Sequence, residues 1–277
     1  MPNAPAATLP GKTLPVMRLP AMTLRAMALP VMTLPVMTGR SLRLSLRSPD
    51  ALLTALLLPV MLMVVFVYLF GGAVSIGTSY VDYVVPGVLL LCGVTGASTT
   101  AVTVCQDMAS GIIDRFRSLD VPGTAVLAGH AAASVLRNLV SVLLVAAVAV
   151  GIGFRPHSDP VRLAAALGVL LLFVAAVSWL AAAWGLAVSA PEAANGAMFF
   201  LMFFCYASSA FVPVAKMPWW LRGFARHQPA TPVTETLRAL LAAQPAGPHL
   251  VSALAWSGGI LAASVVASMV LFARRTA

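Results

Sequence analysis

The sequence predicts an all-α integral membrane protein with six transmembrane helices and a cytoplasmic amphipathic helix between spans 2 and 3. Three observations carry this. Of 277 residues, 60% are hydrophobic and 9% charged, with a mean hydropathy of +0.96, whereas soluble domains carry about 25% charged residues. Six apolar runs are long enough, or nearly so, for the ~20 residues that a spanning helix needs. A polar island, Gln106–Pro122, interrupts two of these runs.

Residues 1–38 are expected to form a disordered, low-complexity tail, and residues 39–277 the six-span domain. From Thr13 to Met37 a five-residue unit repeats five times, with proline at four of its five third positions. Proline at that frequency prevents a stable helix, and a five-residue period is too short for a solenoid. Gly11-Lys12-Thr13 looks like the end of a phosphate-binding loop, but Ala6 stands where that motif needs glycine. The chain is not expected to bind ATP itself. Arg40, Arg43 and Arg47 then share one side of a predicted surface helix leading into the bilayer.

Span 1 is expected at Ala51–Phe70, with Asp50 at its N-terminal end, where helix polarity favours an acid. Span 2, Val84–Val104, is rich in small residues that permit close helix approach. Spans 3, 4, 5 and 6 follow at Ala131–Ile152, Leu163–Val188, Ala197–Val212 and Leu250–Phe272. In the polar island, Ile112, Ile113, Phe116 and Leu119 fall on one side of a helix, and Asp114, Arg115, Arg117 and Ser118 on the other. Pro122 and Gly123 end it. Such a helix either lies on the bilayer or presents its apolar side to a partner. Between spans 5 and 6, Met217–Trp220 resembles an interfacial anchor, and Pro229 and Pro232 divide the loop into helices near 219–227 and 232–242. These either dip into the outer leaflet as a lid or rest on it; the pattern alone favours resting.

With a cytoplasmic N-terminus, ten Lys and Arg fall inside and six outside, and three arginines precede span 1 with none in the loop after it. The protein is therefore expected to be multi-pass, with both termini cytoplasmic. The net charge of +9 is scattered between apolar runs, with no basic stripe for nucleic acid. Cys92, Cys105 and Cys205 match no metal or disulfide spacing and read as small buried hydrophobes. No catalytic set, metal cluster or intramembrane carboxylate relay is present in the sequence, so an enzyme and a proton-driven carrier are both disfavoured. Arg137 and Asn138 are the polar pair nearest mid-membrane. Intramembrane charge points to function, although Arg137, ~9 Å above the predicted inner boundary, has the reach to snorkel to the surface or to serve bundle packing.

Three ordered stretches, Ser45–Val74, Gly111–Ser141 and Phe211–Leu241, resemble the membrane subunit of daunorubicin-resistance-type ABC exporters, within the type-2 ABC permease superfamily. The resemblance covers residues 39–277 and omits the repeat tail. It implies a bacterial cell-membrane permease that pairs with a second permease copy and with a separate ATP-binding subunit, which holds ATP and magnesium. No cofactor is expected to be bound directly by the chain. It also implies that the helix after span 2 couples to that ATPase. Ile112, Phe116 and Leu119 would form the apolar plug, with Asp114, Arg115 and Arg117 as rim charges. The Pro191–Asn195 turn would be a secondary contact. The pathway for a small hydrophobic substrate would lie between the two copies, lined by Met198, Phe199, Met202 and Phe203, whose adaptable side chains suit loose recognition; packing against membrane lipid is the alternative for these four. A non-ATP-coupled channel or carrier and a non-conducting assembly subunit are the competing readings.

Overall fold

The computed structural model describes residues 49–71, 79–110 and 123–276. The repeat tail, the basic segment 39–48 and the amphipathic segment 111–119 lie outside the described residues. Eight α-helices occur among them: α1 Pro49–Val65, continued by a π-helical turn Phe66–Phe70, α2 Tyr80–Ala109, α3 Gly123–Ile152, α4 Pro160–Ala187, α5 Pro191–Tyr206, α6 Trp219–His227, α7 Ala230–Leu241 and α8 Gly247–Thr276. No strand is present among the described residues. Among the described residues four helices, α2, α3, α4 and α8, are long and apolar enough to cross a membrane. The α-helices at predicted spans 1 and 5 have seventeen and sixteen residues, the first carried on to Phe70 by its π-turn, so long helices among the described residues match four of the six predicted spans.

Helix α2 is the centre. Every residue from Tyr83 to Val94 is buried, as expected of a helix that is apolar all round. It packs against α1, α3, α4, α5 and α7, while α8 packs chiefly on α4. The outer faces of α3 and α8 expose Val140, Leu143, Leu144, Val251 and Val266, an apolar surface that suits lipid and not water. Close approach depends on small residues: a Cβ at Gly185 of α4 would fall onto the Ala101 carbonyl oxygen of α2 and lie 3.1 Å from Val104 Cβ. The three cysteines are free and buried, in line with their reading as hydrophobes.

Local chemistry sets the helix ends. Pro160 and Pro191 begin α4 and α5, where a missing N–H is harmless. The Pro191–Asn195 segment is therefore the first turn of α5 and not a separate turn, with Glu192 favourably placed at the helix start. At the other end of the chain Arg274 and Arg275 occupy the last turn of α8. The Arg275 guanidinium donates to the Ala187 and Val188 carbonyls at 3.2 and 3.1 Å, capping α4 with a charge of the favourable sign.

The loop helices α6 and α7 lie where the prolines place them, but α7 does not rest on a surface. Ala230–Thr234, Thr236 and Leu237 are buried, and α7 packs on α2, α4 and α8. Its polar residues are accommodated internally. Thr234 Oγ1 donates to the Ala230 carbonyl at 2.8 Å, and the Arg238 guanidinium donates to the Tyr83 and Ser209 carbonyls, each at 3.0 Å, while pairing with Glu235 at 2.8 Å.

Candidate functional site

The site predicted from sequence is built around the hairpin of α2 and α3, whose connection carries the amphipathic segment. Ile112, Asp114, Arg115, Phe116, Arg117 and Leu119 lie outside the described residues; the two roots of the connection are described. Helix α2 closes at Ser110, whose N–H donates to the Gln106 carbonyl at 2.9 Å. One turn before that end, Asp107 meets His130 of α3, with Oδ2 and Nε2 3.1 Å apart and the side chains 15% and 7% exposed. This part-buried contact holds the two roots together across the connection. Sequence reading missed it because the partners are 23 residues apart and share no helical periodicity.

Further along α3, Arg137 turns sideways to α2. Its Nη2 donates to Thr99 Oγ1 at 2.7 Å, Thr100 Oγ1 at 3.2 Å and the Gly96 carbonyl at 3.3 Å. The guanidinium is thus engaged within the bundle. The helix that carries it begins at Gly123, not at Ala131, so Arg137 stands ~21 Å from its helix start at 1.5 Å per residue. Asn138, 1% exposed, donates from Nδ2 to Ser134 Oγ at 3.5 Å, and Ser134 Oγ in turn accepts from Ser178 Oγ of α4 at 2.9 Å. A polar ladder therefore links α2, α3 and α4 through the apolar interior. The visible signal was the Ser/Thr-rich run from Thr95 to Thr103, read only as small residues.

Gly96 is the residue that lets this ladder close, because a Cβ there would coincide with the Asn138 amide oxygen. Gly96→Ala is expected to lower stability by about 1–3 kcal/mol, the usual cost of overpacking. Asn138→Ala vacates that space, so the double variant should recover much of the loss. Thermal unfolding of the four proteins of this cycle in detergent checks it; strict additivity would remove the assigned contact.

The predicted lining residues do not share one wall. Phe199 and Phe203 point outward, 67% and 55% exposed, whereas Met202 packs on the core. Of Met198 only its place in the second turn of α5 is described. A cavity of about 610 Å³ opens beside the neighbouring face of α5, between α2, α4 and α8, and takes in Phe200, Phe204, Cys205, Trp184 and Ile260. No cluster of three or more His, Cys, Asp or Glu that would hold a metal occurs among the described residues.

An all-helical membrane bundle with a clamped α2–α3 hairpin fits the resemblance, and sequence comparison decides the family. Residues 33–242 match the ABC-2 type transporter family. The chain belongs to the ABC-2 type transporter family. That match takes in all three stretches quoted above and ends before α8. This ABC-2 chain is 30% identical over 195 residues to a daunorubicin resistance ABC transporter permease protein of Streptomyces coeruleorubidus, covering 70% of this chain and 69% of that protein. It is 23% identical to a probable doxorubicin resistance ABC transporter permease protein of Mycobacterium tuberculosis, covering 80% and 82% respectively. A putative transport permease of Porphyra purpurea is 26% identical, over 69% and 68%.

Proposed function

We propose that this chain is the membrane-spanning permease subunit of an ATP-driven exporter that moves hydrophobic or amphipathic drugs out of a bacterial cell. The observation that carries the reading is its 30% identity to the daunorubicin resistance permease over about seven-tenths of both chains. In this reading α1 with its π-turn and α5 complete six spans, both termini are cytoplasmic, and two permease copies pair around the pathway. A separate ATP-binding subunit binds and hydrolyses ATP. Segment 111–119 docks on that subunit through Ile112, Phe116 and Leu119.

The clamped hairpin supports this mechanism. A push on the connection reaches α2 and α3 together, because Asp107–His130 and Arg137–Thr99 join the helices at two levels. The movement then passes to α4 through Ser134 and Ser178. Alternating access follows when ATP draws the two ATPases together and the hairpins move with them.

Phe116→Asp is the test. Burying a phenylalanine contributes about 1.5–3 kcal/mol, so replacing it with a carboxylate should weaken ATPase capture at least tenfold. The expected result is loss of daunorubicin efflux at wild-type membrane levels, together with loss of the ATP-binding subunit from a tagged pull-down in mild detergent. Full efflux by the variant would remove the coupling role. A stable wild-type protein that recovers no ATP-binding subunit would count against ATP-driven export.

A further inference from the structure

The cavity beside α5 is distinct from the pathway proposed between two copies, since it lies within one chain, between α2, α4, α5 and α8. Its walls are hydrocarbon and aromatic: Val94, Phe173, Val177, Phe200, Phe204 and Ile260. The one indole at its rim, Trp184, donates its N–H to the Ala193 carbonyl at 3.3 Å, so it has no donor left over for a polar ligand. Trp184 and Phe200 are 42% and 69% exposed, which marks the side on which the cavity opens to the surroundings of the bundle. Pro229 and Ala230, at the start of the buried helix α7, line its other end. From Ala193 to Cys205 the cavity follows ~18 Å of α5, comparable with the ~15 Å depth of one leaflet's hydrocarbon.

The end near Trp184 carries charge. The Val188 N–H donates to the Trp184 carbonyl at 3.1 Å, and the Val188 carbonyl accepts from Arg275 at 3.1 Å. One guanidinium therefore sits about a helical turn beyond the rim of the cavity, with Arg274 adjacent in the same turn of α8. Two carboxylates belong to the elements that meet here. Glu192 lies in the first turn of α5. Asp107 is paired with His130 and lies two residues past Cys105, whose Sγ is 3.7 Å from the same Val188 carbonyl. A hydrocarbon slot one leaflet deep, ending at a basic site between spans, is the arrangement that takes an anionic lipid.

We propose that this cavity holds one acyl chain of an anionic phospholipid, with the phosphate at Arg274 and Arg275. The site is a property of the single chain and stands whether or not the protein exports drugs. Gly196 provides the means of testing it: a Cβ there meets nothing within 4 Å, and the residue lines the cavity, so a large side chain can be rooted at the wall of the slot.

The experiment is native mass spectrometry of the full-length protein in mild detergent, titrated with dioleoyl phosphatidylglycerol and, separately, dioleoyl phosphatidylcholine. Wild type should retain one phosphatidylglycerol per chain at a concentration at least tenfold below that needed for phosphatidylcholine. Gly196→Trp should weaken phosphatidylglycerol retention at least tenfold. Arg274→Gln/Arg275→Gln keeps an amide donor for the α4 carbonyls but removes both charges, and should bring phosphatidylglycerol down to the phosphatidylcholine level. Ile260→Trp fills the cavity from the α8 wall and gives the same reading should Gly196→Trp aggregate. Equal retention of the two lipids by wild type overturns the proposal. So does wild-type retention of phosphatidylglycerol in either filled variant, or a lipid-free wild-type dimer in which a second copy covers the slot.

Discussion

Arg238→Leu is expected to destabilise the protein by about 1–3 kcal/mol, the cost of leaving buried polar groups without their hydrogen-bond donor. The side chains of Arg238 and Glu235 are 17% and 29% exposed, so solvent screens the pair only in part. The substitution would leave Glu235 without its cation and remove the donors to the Tyr83 and Ser209 carbonyls. It would also remove a guanidinium lying 3.7 Å over the Tyr83 ring, an arrangement worth about 0.5–2 kcal/mol. Arg238→Lys restores the charge but not the planar fork, and should recover less than half of the loss. Thermal unfolding in detergent measures both. A change below about 0.5 kcal/mol for Arg238→Leu, the scale of an ordinary surface substitution, would show that α7 is held by its apolar face alone.

Gly185→Ala should act at the opposite side of the bundle and by another mechanism. The added methyl would land on the Ala101 carbonyl oxygen, with Val104 Cβ 3.1 Å away. A backbone oxygen cannot rotate aside as a side chain does, so α2 and α4 must separate along their contact. The expected loss is about 1–3 kcal/mol or more. Gly168→Ala, on the same helix, is the control, because a Cβ there meets nothing within 4 Å. Replacing an interior helical glycine in open space should gain about 0.5–1 kcal/mol. Opposite signs for two chemically identical substitutions on α4 are the expected outcome of denaturation measurements; equal signs would refute close packing at Gly185.

The long apolar helices were legible because lipid-facing and bundle-facing surfaces are both apolar, so hydropathy alone marks them. The buried cysteines and the two loop helices were legible for equally local reasons. What sequence missed depends on partners far along the chain. His130 breaks the apolar run and pushed the predicted start of span 3 to Ala131, whereas Asp107 satisfies it and the helix begins at Gly123. Predicted span 5, Ala197–Val212, followed hydropathy past the true end of α5 at Tyr206. Beyond that point the chain is irregular because other groups take its carbonyls. Gln228 Nε2 donates to Ala207 at 2.7 Å, Tyr83 Oη to Ser209 at 2.8 Å and Tyr80 Oη to Phe211 at 3.3 Å. Of the site, the polar pair Arg137 and Asn138 was legible, while its acceptors on α2 and α4 were not.

That side-chain-supported segment changes how the protein meets a bilayer of given thickness. At sixteen residues, α5 reaches ~24 Å, short of the ~30 Å hydrocarbon core, and an isolated helix of that length would thin the membrane around it. Past its end Ser208, Ser209, Ala210 and Phe211 are each no more than 3% exposed, so lipid does not meet the irregular backbone there. Hydrophobic matching therefore falls to the lipid-facing helices of 28 to 30 residues, α3, α4 and α8. At ~42–45 Å these exceed the core and adjust by tilt or by extending beyond it, so a change in membrane thickness is taken up first by the long helices.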